Sequence, residues 1–177
     1  MFKYCPSCAS EKILFIDNKV WKCPDCGLTY YHNTAAATSC IINTDAGIIF
    51  LVRNKEPGKG LLDLPGGFID PGEGALEGLS RELTEELGCE GFLKDIKITF
   101  FGSFPNKYQY KNFLYNTCDL FFFLDAPGLS EKDLCIEKTE ISGVQFIKPS
   151  GIDMEKIAFE SVKKGLRLYL DIHADPD

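Results

Sequence analysis

Two C-x-x-C pairs, Cys5-Pro6-Ser7-Cys8 and Cys23-Pro24-Asp25-Cys26-Gly27, constrain the start of this chain more tightly than any other feature. Fourteen residues separate Cys8 from Cys23. Each pair can offer two thiolates to one metal ion, and two pairs complete a tetrahedral four-sulfur site with no open position. Pro after the first Cys and Gly after the last, in the second pair, suit the tight turns that such sites use. A redox dithiol needs only one pair, normally beside a βαβ pattern, so the doubled spacing favours one structural Zn2+ held by Cys5, Cys8, Cys23 and Cys26. Cys40, Cys89, Cys118 and Cys135 are scattered through apolar stretches and read as small buried hydrophobes.

Residues 1–34 hold too little apolar material to fold without the metal. They resemble a zinc ribbon, a module that serves as scaffold, dimer contact or docking surface rather than as catalyst. From Ala35 to residue 177 the pattern is that of a second domain. Thr38–Ile42 and Ile48–Val52 are β-branched runs joined through Asn43–Gly47, which predicts a hairpin. A short strand is expected through Leu62–Phe68, broken by Pro65-Gly66-Gly67, and a helix from Gly74 to Leu87 stopped by Gly88. Further strands are expected at Ile96–Ser103, Thr117–Asp125 and Gly143–Ile147. A final helix is read over Met154–Asp171, with Ala158, Val162, Leu166 and Tyr169 as its apolar stripe. The fold class is α/β, a layered sandwich built on a mixed sheet.

The net charge of −7 and a pI near 4.9 argue against a broad basic surface for nucleic acid or acidic lipid. The apolar run Ile13–Ile16 is too short for a signal-peptide core or a membrane span, so the expectation is a cytoplasmic protein with no membrane partner. A carboxylate-rich protein acting on phosphates would need metal ions to bridge like charges.

The segment from Gly67 to Cys89 carries the chemistry. Glu82, Glu85 and Glu86 stand at i, i+3 and i+4 and project from one helix face. Leu76, Leu79, Leu83 and Leu87 form a neighbouring stripe that can anchor the helix to the sheet. Like charges so spaced repel by roughly a few tenths of a kcal/mol per pair unless cations bind. Hard oxygen donors on a rigid helix suit Mg2+ or Mn2+. Glu73 and Arg81 are expected to pair across the loop–helix junction.

The order Gly67, five residues, Glu73, seven residues, Arg81-Glu82-Leu83, then Glu85-Glu86 and Gly88 resembles the Nudix box. Cys89 stands where that family usually has a larger aliphatic residue. The resemblance implies an α/β/α sandwich and divalent-metal-dependent hydrolysis of a nucleoside diphosphate linked to another moiety. It implies Glu82 and Glu86 as ligands of Mg2+ or Mn2+, Glu85 as ligand or base, and the Gly66 carbonyl as a further ligand. Glu73 and Arg81 would be structural members of the site. The general base is left among Glu82, Glu85 and two later candidates, Glu137 and Glu140, and a homodimer is admitted.

A zinc ribbon followed by this box is similar to the NADH pyrophosphatase arrangement. The downstream signature of that group is incomplete here: in Gly102–Tyr110, Ser103 and Pro105 keep their places, but the Trp and later prolines are missing. ADP-ribose pyrophosphatases tend to carry a proline some sixteen residues past the box, and Pro105 lies sixteen after Cys89. The preferred substrate is therefore ADP-ribose or a related dinucleotide. Pro105 would stiffen a loop over Ser103–Tyr110, Tyr108 or Tyr110 would stack on a base or ribose, and Arg53 or Lys55 would meet the phosphates. The competing reading is a non-catalytic nucleotide-sugar sensor whose zinc ribbon engages a partner or nucleic acid.

Overall fold

The computed structural model describes residues 2–88 and 96–173, so Cys89 lies outside the described residues. The chain divides into two compact units, one ending at Thr34 and the other beginning at Ala35.

In the first unit, β1 (Leu14–Ile16), β2 (Val20–Lys22) and β3 (Thr29–Tyr31) form an antiparallel sheet in that order. Cys5, Trp21 and Cys23 are its buried hydrophobic residues, and Phe15 stacks on Trp21 with ring centroids 4.3 Å apart. The two cysteine turns share one geometry. The Ala9 N–H donates to the Cys5 carbonyl and the Gly27 N–H to the Cys23 carbonyl, both at 2.9 Å. The Cys5 and Cys26 sulfurs are 3.7 Å apart, as are those of Cys8 and Cys23, and all four lie within 4.8 Å of one another. A tetrahedron with Zn–S bonds of about 2.3 Å has edges of about 3.8 Å, so the four thiols fit a zinc ion.

The second unit is a three-layer sandwich. Its strands are β4 (Ala35–Thr44), β5 (Gly47–Arg53), β6 (Leu62–Asp63), β7 (Thr99–Tyr110), β8 (Phe113–Asp125) and β9 (Ile141–Ile147). They run in the order β6-β5-β4-β8-β7, with β9 on the free edge of β5. β4 and β8 are parallel from Ala35↔Thr117 to Asn43↔Asp125 and the other pairings are antiparallel, so the sheet is mixed. Helix α1 (Ala75–Leu87) covers one face, burying Leu79, Leu83 and Leu87 against Cys40, Ile42, Phe122 and Leu124. Helix α2 (Glu160–Ile172) covers the other, burying Val162, Leu166 and Tyr169 against Ile41, Phe50 and Phe121.

One irregularity creates the site. β5 pairs with β4 only at the hairpin end, Asn43↔Ile48 and Thr44↔Gly47, and with β6 at its far end, Leu51↔Asp63 and Val52↔Leu62. The sheet therefore splits between β4 and β5. The chain after β6 crosses to β4, where the Thr38 and Cys40 N–H groups donate to the Gly67 and Pro65 carbonyls. Residues 62–69 thus line the split, directly before the box.

Several sequence expectations need correction. Ser103–Tyr110 is strand rather than loop: it is the outer half of β7, paired with β8 up to Tyr110↔Phe113. β7 is an edge strand, where a proline's missing N–H costs no ladder bond if it faces outward, so Pro105 is tolerated there. Leu62–Phe68 holds only two strand residues, because Pro65 cannot donate and Gly66 takes φ 136°. The last helix begins at Glu160 rather than Met154, so Ala158 precedes the stripe assigned to it. Leu76 is 51% exposed and does not share the anchoring role of the other three leucines.

Candidate active site

Helix α1 is aimed by its ends. The Glu77 carboxylate accepts from the Gly74 N–H at 2.7 Å, and Gly88, in the left-handed region at φ 67°, closes the helix with its N–H on the Thr84 carbonyl. Arg81 then locks the preceding loop to the helix. Its Nε donates to Glu73 Oε1 at 2.8 Å and its Nη2 to Glu73 Oε2 at 3.0 Å, a two-pronged pair. Nη2 also donates to the Phe68 carbonyl, and Glu73 accepts from the Asp70 N–H. The expected Glu73–Arg81 contact is present. Arg81, first of all, holds the Glu73 carboxyl below its ordinary range, helped by the Asp70 N–H.

Three box glutamates reach different surroundings. Glu82 accepts from Arg81 Nη1 at 2.9 Å, and Glu85 accepts from the same nitrogen at 3.3 Å. Glu86 turns the other way, where its Oε2 accepts from the Gly66 N–H at 2.8 Å. Glu82 and Glu86 line a cavity of about 240 Å³ together with Asp63, Gly66, Gly67 and Glu140. The Glu85 side chain is 57% exposed and lies outside that lining. Glu86 is therefore partly buried and set apart from the exposed Glu85, although the helical spacing put all three glutamates on one face. Its carboxyl is pushed well above the ordinary range by burial, against the pull of the Gly66 N–H and with the charges of Asp63, Glu82 and Glu140 adding to the rise. Burial also raises Glu82, against Arg81. Gly67 leaves room for Glu82: a Cβ there would lie 2.5 Å from the Glu82 carboxyl carbon, so any side chain at this position displaces that carboxylate.

The two late glutamates separate cleanly. Glu140 lines the cavity, and its carboxylate takes Lys55 Nζ at 2.6 Å. Glu137 instead accepts from the Thr139 N–H and hydroxyl and from the Glu140 N–H, folding the turn that presents Glu140.

The NUDIX domain family profile matches residues 32–167. The chain belongs to the NUDIX family. Among curated relatives, the NAD-capped RNA hydrolase NudC of Chromobacterium violaceum is 28% identical over 103 residues, 58% of this chain and 38% of that one. The ADP-ribose pyrophosphatase of Methanocaldococcus jannaschii is 41% identical over 58 residues, 33% of this chain and 34% of that one. Each match spans well under two thirds of the relative's length. The crystal structure of a NUDIX hydrolase from Nitrosomonas europaea superposes with a TM-score of 0.66 at 22% identity, over 99% of this chain and 95% of that one, and so shares the fold.

In this NUDIX domain the same cavity also has aromatic lining. Tyr108, Phe68 and Phe159 line the cavity, the Tyr108 ring standing 5.5 Å from Phe68 and 5.7 Å from Phe159. Tyr110 lines an adjoining cavity with Tyr108, Glu86, Glu140, Arg53 and Lys55, and a more apolar pocket with Tyr108, Phe68 and Tyr115. Pro105 lines none of these three, so the loop-stiffening role assigned to it is withdrawn. Arg53 lines the cavity but is already engaged: its Nη1 donates to Asp63 at 2.7 Å, its Nε to the Pro57 carbonyl, and its guanidinium lies 4.8 Å over the Phe159 ring. Lys55 is likewise held by Glu140, which raises its pKa. The sequence reading missed Asp63, Phe68, Asp119 and Phe159. Burial lifts the Asp63 carboxyl to about 6 in spite of Arg53. Asp63 and Phe68 flank the glycine turn and were within reach of a motif argument; Asp119 and Phe159 enter only through strand register and helix packing.

Proposed function

We propose that this NUDIX domain hydrolyses the diphosphate bond of a nucleoside diphosphate linked to another moiety, with ADP-ribose or a related dinucleotide as its preferred substrate. The observation that carries the proposal is that one cavity is lined by both carboxylates and aromatic rings. The Arg81 clamp sets Glu82 and Glu86 in that cavity, and Tyr108, Phe68 and Phe159 line it as well. Carboxylates suit a cation-bridged diphosphate, and aromatic faces suit the attached base. The names of the curated relatives, a hydrolase of NAD-capped RNA and an ADP-ribose pyrophosphatase, support this substrate class.

The donor set fits Mg2+ or Mn2+. Glu86 is a half-buried carboxylate destabilised by three neighbouring acids, a situation that a divalent cation relieves. Glu82 and Glu86 would hold the ion, with the Gly66 carbonyl and Glu85 as further donors. Such an ion, when bound, would supply Lewis-acid polarisation of the diphosphate and a lowered pKa for water. The chain's own residues do the rest. Arg81 keeps Glu82 and the Phe68 carbonyl in fixed places, the Gly66 N–H orients Glu86, and Glu140 accepts the proton of the attacking water. Arg53, steadied by Asp63, supplies positive charge at the cavity wall. In the first unit, residues 1–34, a single structural Zn2+ on Cys5, Cys8, Cys23 and Cys26 completes a zinc ribbon ahead of the NUDIX domain of residues 35–177. No helix among the described residues is long and apolar enough to cross a membrane.

The test is a phosphate-release assay after phosphatase coupling, with Mg2+, comparing kcat/KM for ADP-ribose, NADH, diadenosine polyphosphates and a nucleoside triphosphate. The expected order places ADP-ribose or a dinucleotide first. A nucleoside triphosphate preferred over all diphosphates defeats the substrate assignment. Tight binding without turnover of any compound defeats the hydrolase reading in favour of a sensor.

A further inference from the structure

Among the described residues, two buried side-chain polar atoms have no hydrogen-bond partner, Thr117 Oγ1 and Asp119 Oδ1. Thr117 is 3% exposed and Asp119 6%. They stand at i and i+2 on β8, hence on one face of the sheet, and both line the cavity that Glu82 and Glu86 line. A buried polar oxygen without a hydrogen-bond partner is costly, so a hydroxyl and a carboxylate oxygen side by side in one cavity call for a ligand.

The surroundings specify its kind. The second Asp119 oxygen is occupied, accepting from the Ser161 hydroxyl of α2 at 2.6 Å, which fixes the carboxylate and leaves Oδ1 as a lone acceptor. The Thr117 hydroxyl can donate as well as accept. Across the parallel ladder their partners on β4 are Ala35 and Ala37, whose methyl groups leave room above the floor. Tyr108 and Phe159 flank the same cavity with flat apolar faces. A lone acceptor beside a hydroxyl, between aromatic walls, matches a planar ring that carries an N–H donor next to a ring-nitrogen acceptor.

Resting on the nucleotide reading above, we propose that Thr117 and Asp119 form a base-reading floor. Asp119 Oδ1 accepts from the exocyclic amino group of the base and Thr117 Oγ1 donates to the adjacent ring nitrogen. The class of ligand is an amino-bearing nucleobase, adenine or cytosine, as opposed to its keto counterpart, hypoxanthine or uracil. A keto base turns an acceptor oxygen toward Asp119 Oδ1 and leaves that atom unpaired, while its ring N–H can still donate to the Thr117 hydroxyl, so the discrimination falls on Asp119.

The experiment is titration calorimetry of the full chain with AMP, IMP, CMP and UMP. It needs no hydrolysis, since none of these ligands has a diphosphate bond. The wild-type protein is expected to favour AMP over IMP, or CMP over UMP, by about tenfold or more, and the favoured pair names the ring. Asp119→Asn keeps an oxygen for Ser161 and turns an amide N–H into the cavity, so the ratio should collapse or invert toward the keto base. Thr117→Val keeps the shape and removes the hydroxyl, which should weaken both members of the pair about equally. Thermal melts of both variants verify folding. Equal binding of all four nucleotides, as when a bound water satisfies the floor, overturns the proposal. So does an Asp119→Asn ratio equal to wild type together with unaltered affinity in Thr117→Val. Amino-base preference without hydrolysis of any compound keeps the floor and removes the proposed activity; hydrolysis with no base preference does the reverse.

Discussion

Burial and the charges of Asp63, Glu82 and Glu140 all resist ionisation of Glu86, and only the Gly66 N–H favours it. Glu86, Glu82 and Asp63 thus bind their protons more firmly in the folded protein than in the unfolded chain. The stability they contribute is complete below the unfolded carboxyl range, about pH 4, and is lost as pH rises through their folded values. Glu73 and Glu137, both held low, act the opposite way and lose their contribution as pH falls through their folded values. Metal-free protein is therefore expected to be most stable at mildly acidic pH and to lose stability toward neutrality, with Mg2+ restoring it. Glu86→Gln should flatten that decline and raise the metal-free Tm at pH 7, while lowering kcat by more than the roughly 10–100-fold that loss of an outer-sphere partner costs. Melting curves from pH 5 to 8, with and without Mg2+, and steady-state rates check both halves. A variant as active as wild type removes the box from the chemistry. Glu140 gives a second residue-level prediction: Glu140→Gln should reduce kcat by about 100-fold or more, the scale of a lost general base, with KM little changed. Glu137→Gln, altering only the turn, should cost far less in kcat.

The elements around the cavity differ in how far the sequence disclosed them. Helix α1 was legible in its extent, because the spacing of Leu79, Leu83 and Leu87, the Gly88 stop and the Glu73–Arg81 pairing are local facts, whereas the exposure of Leu76 is set by packing. The β7–β8 hairpin was not. Ser103–Tyr110 contains Pro105, Asn106 and Lys107, which read as loop, and it becomes strand because β8 offers a continuous partner as far as Phe113. The same blindness hid Thr117, Asp119 and Phe159, whose place depends on which strand lies beside β4 and how α2 crosses it. Strand assignment in turn changes what the hairpin should do. Tyr108 faces the cavity and Pro105 does not, so Tyr108→Ala should raise KM for ADP-ribose by about tenfold, the scale of one lost base stack, and Pro105→Ala should leave kcat/KM within about twofold. Equal losses in both variants would return the effect to hairpin stability. Within the box, Gly67→Ala forces Glu82 to move, since its carboxyl carbon lies 2.5 Å from the added methyl. A displacement of about 1 Å at a reacting centre can cost about 100-fold, so kcat should fall by that order with the far-UV spectrum unchanged.

At the scale of the whole molecule, the two units draw on different sources of stability. The NUDIX unit buries apolar clusters on both faces of its sheet, among them Leu79, Leu83 and Phe122 on one side and Phe50, Phe121 and Leu166 on the other. The first unit buries Trp21 and two cysteines, too little for independent folding at its length, so its structure should depend on metal–sulfur bonds. The chain's single tryptophan lies in that unit, stacked on Phe15, and Phe2 meets it edge-on at 5.1 Å. Tryptophan emission therefore reports on the first unit alone, while far-UV dichroism at helical wavelengths follows α1 and α2. Titration with a thiol-blocking mercurial in the presence of a zinc-sensitive dye should release one zinc per chain and shift the Trp21 emission to the red in step with it. The helical signal should persist, because Leu79, Leu83, Leu87, Val162 and Leu166 remain packed on the sheet. The double substitution Cys23→Ser with Cys26→Ser should purify without zinc and with Trp21 already red-shifted. Zinc retained in full by that variant, or Trp21 emission that ignores zinc release, would show that the four thiols do not hold the first unit together.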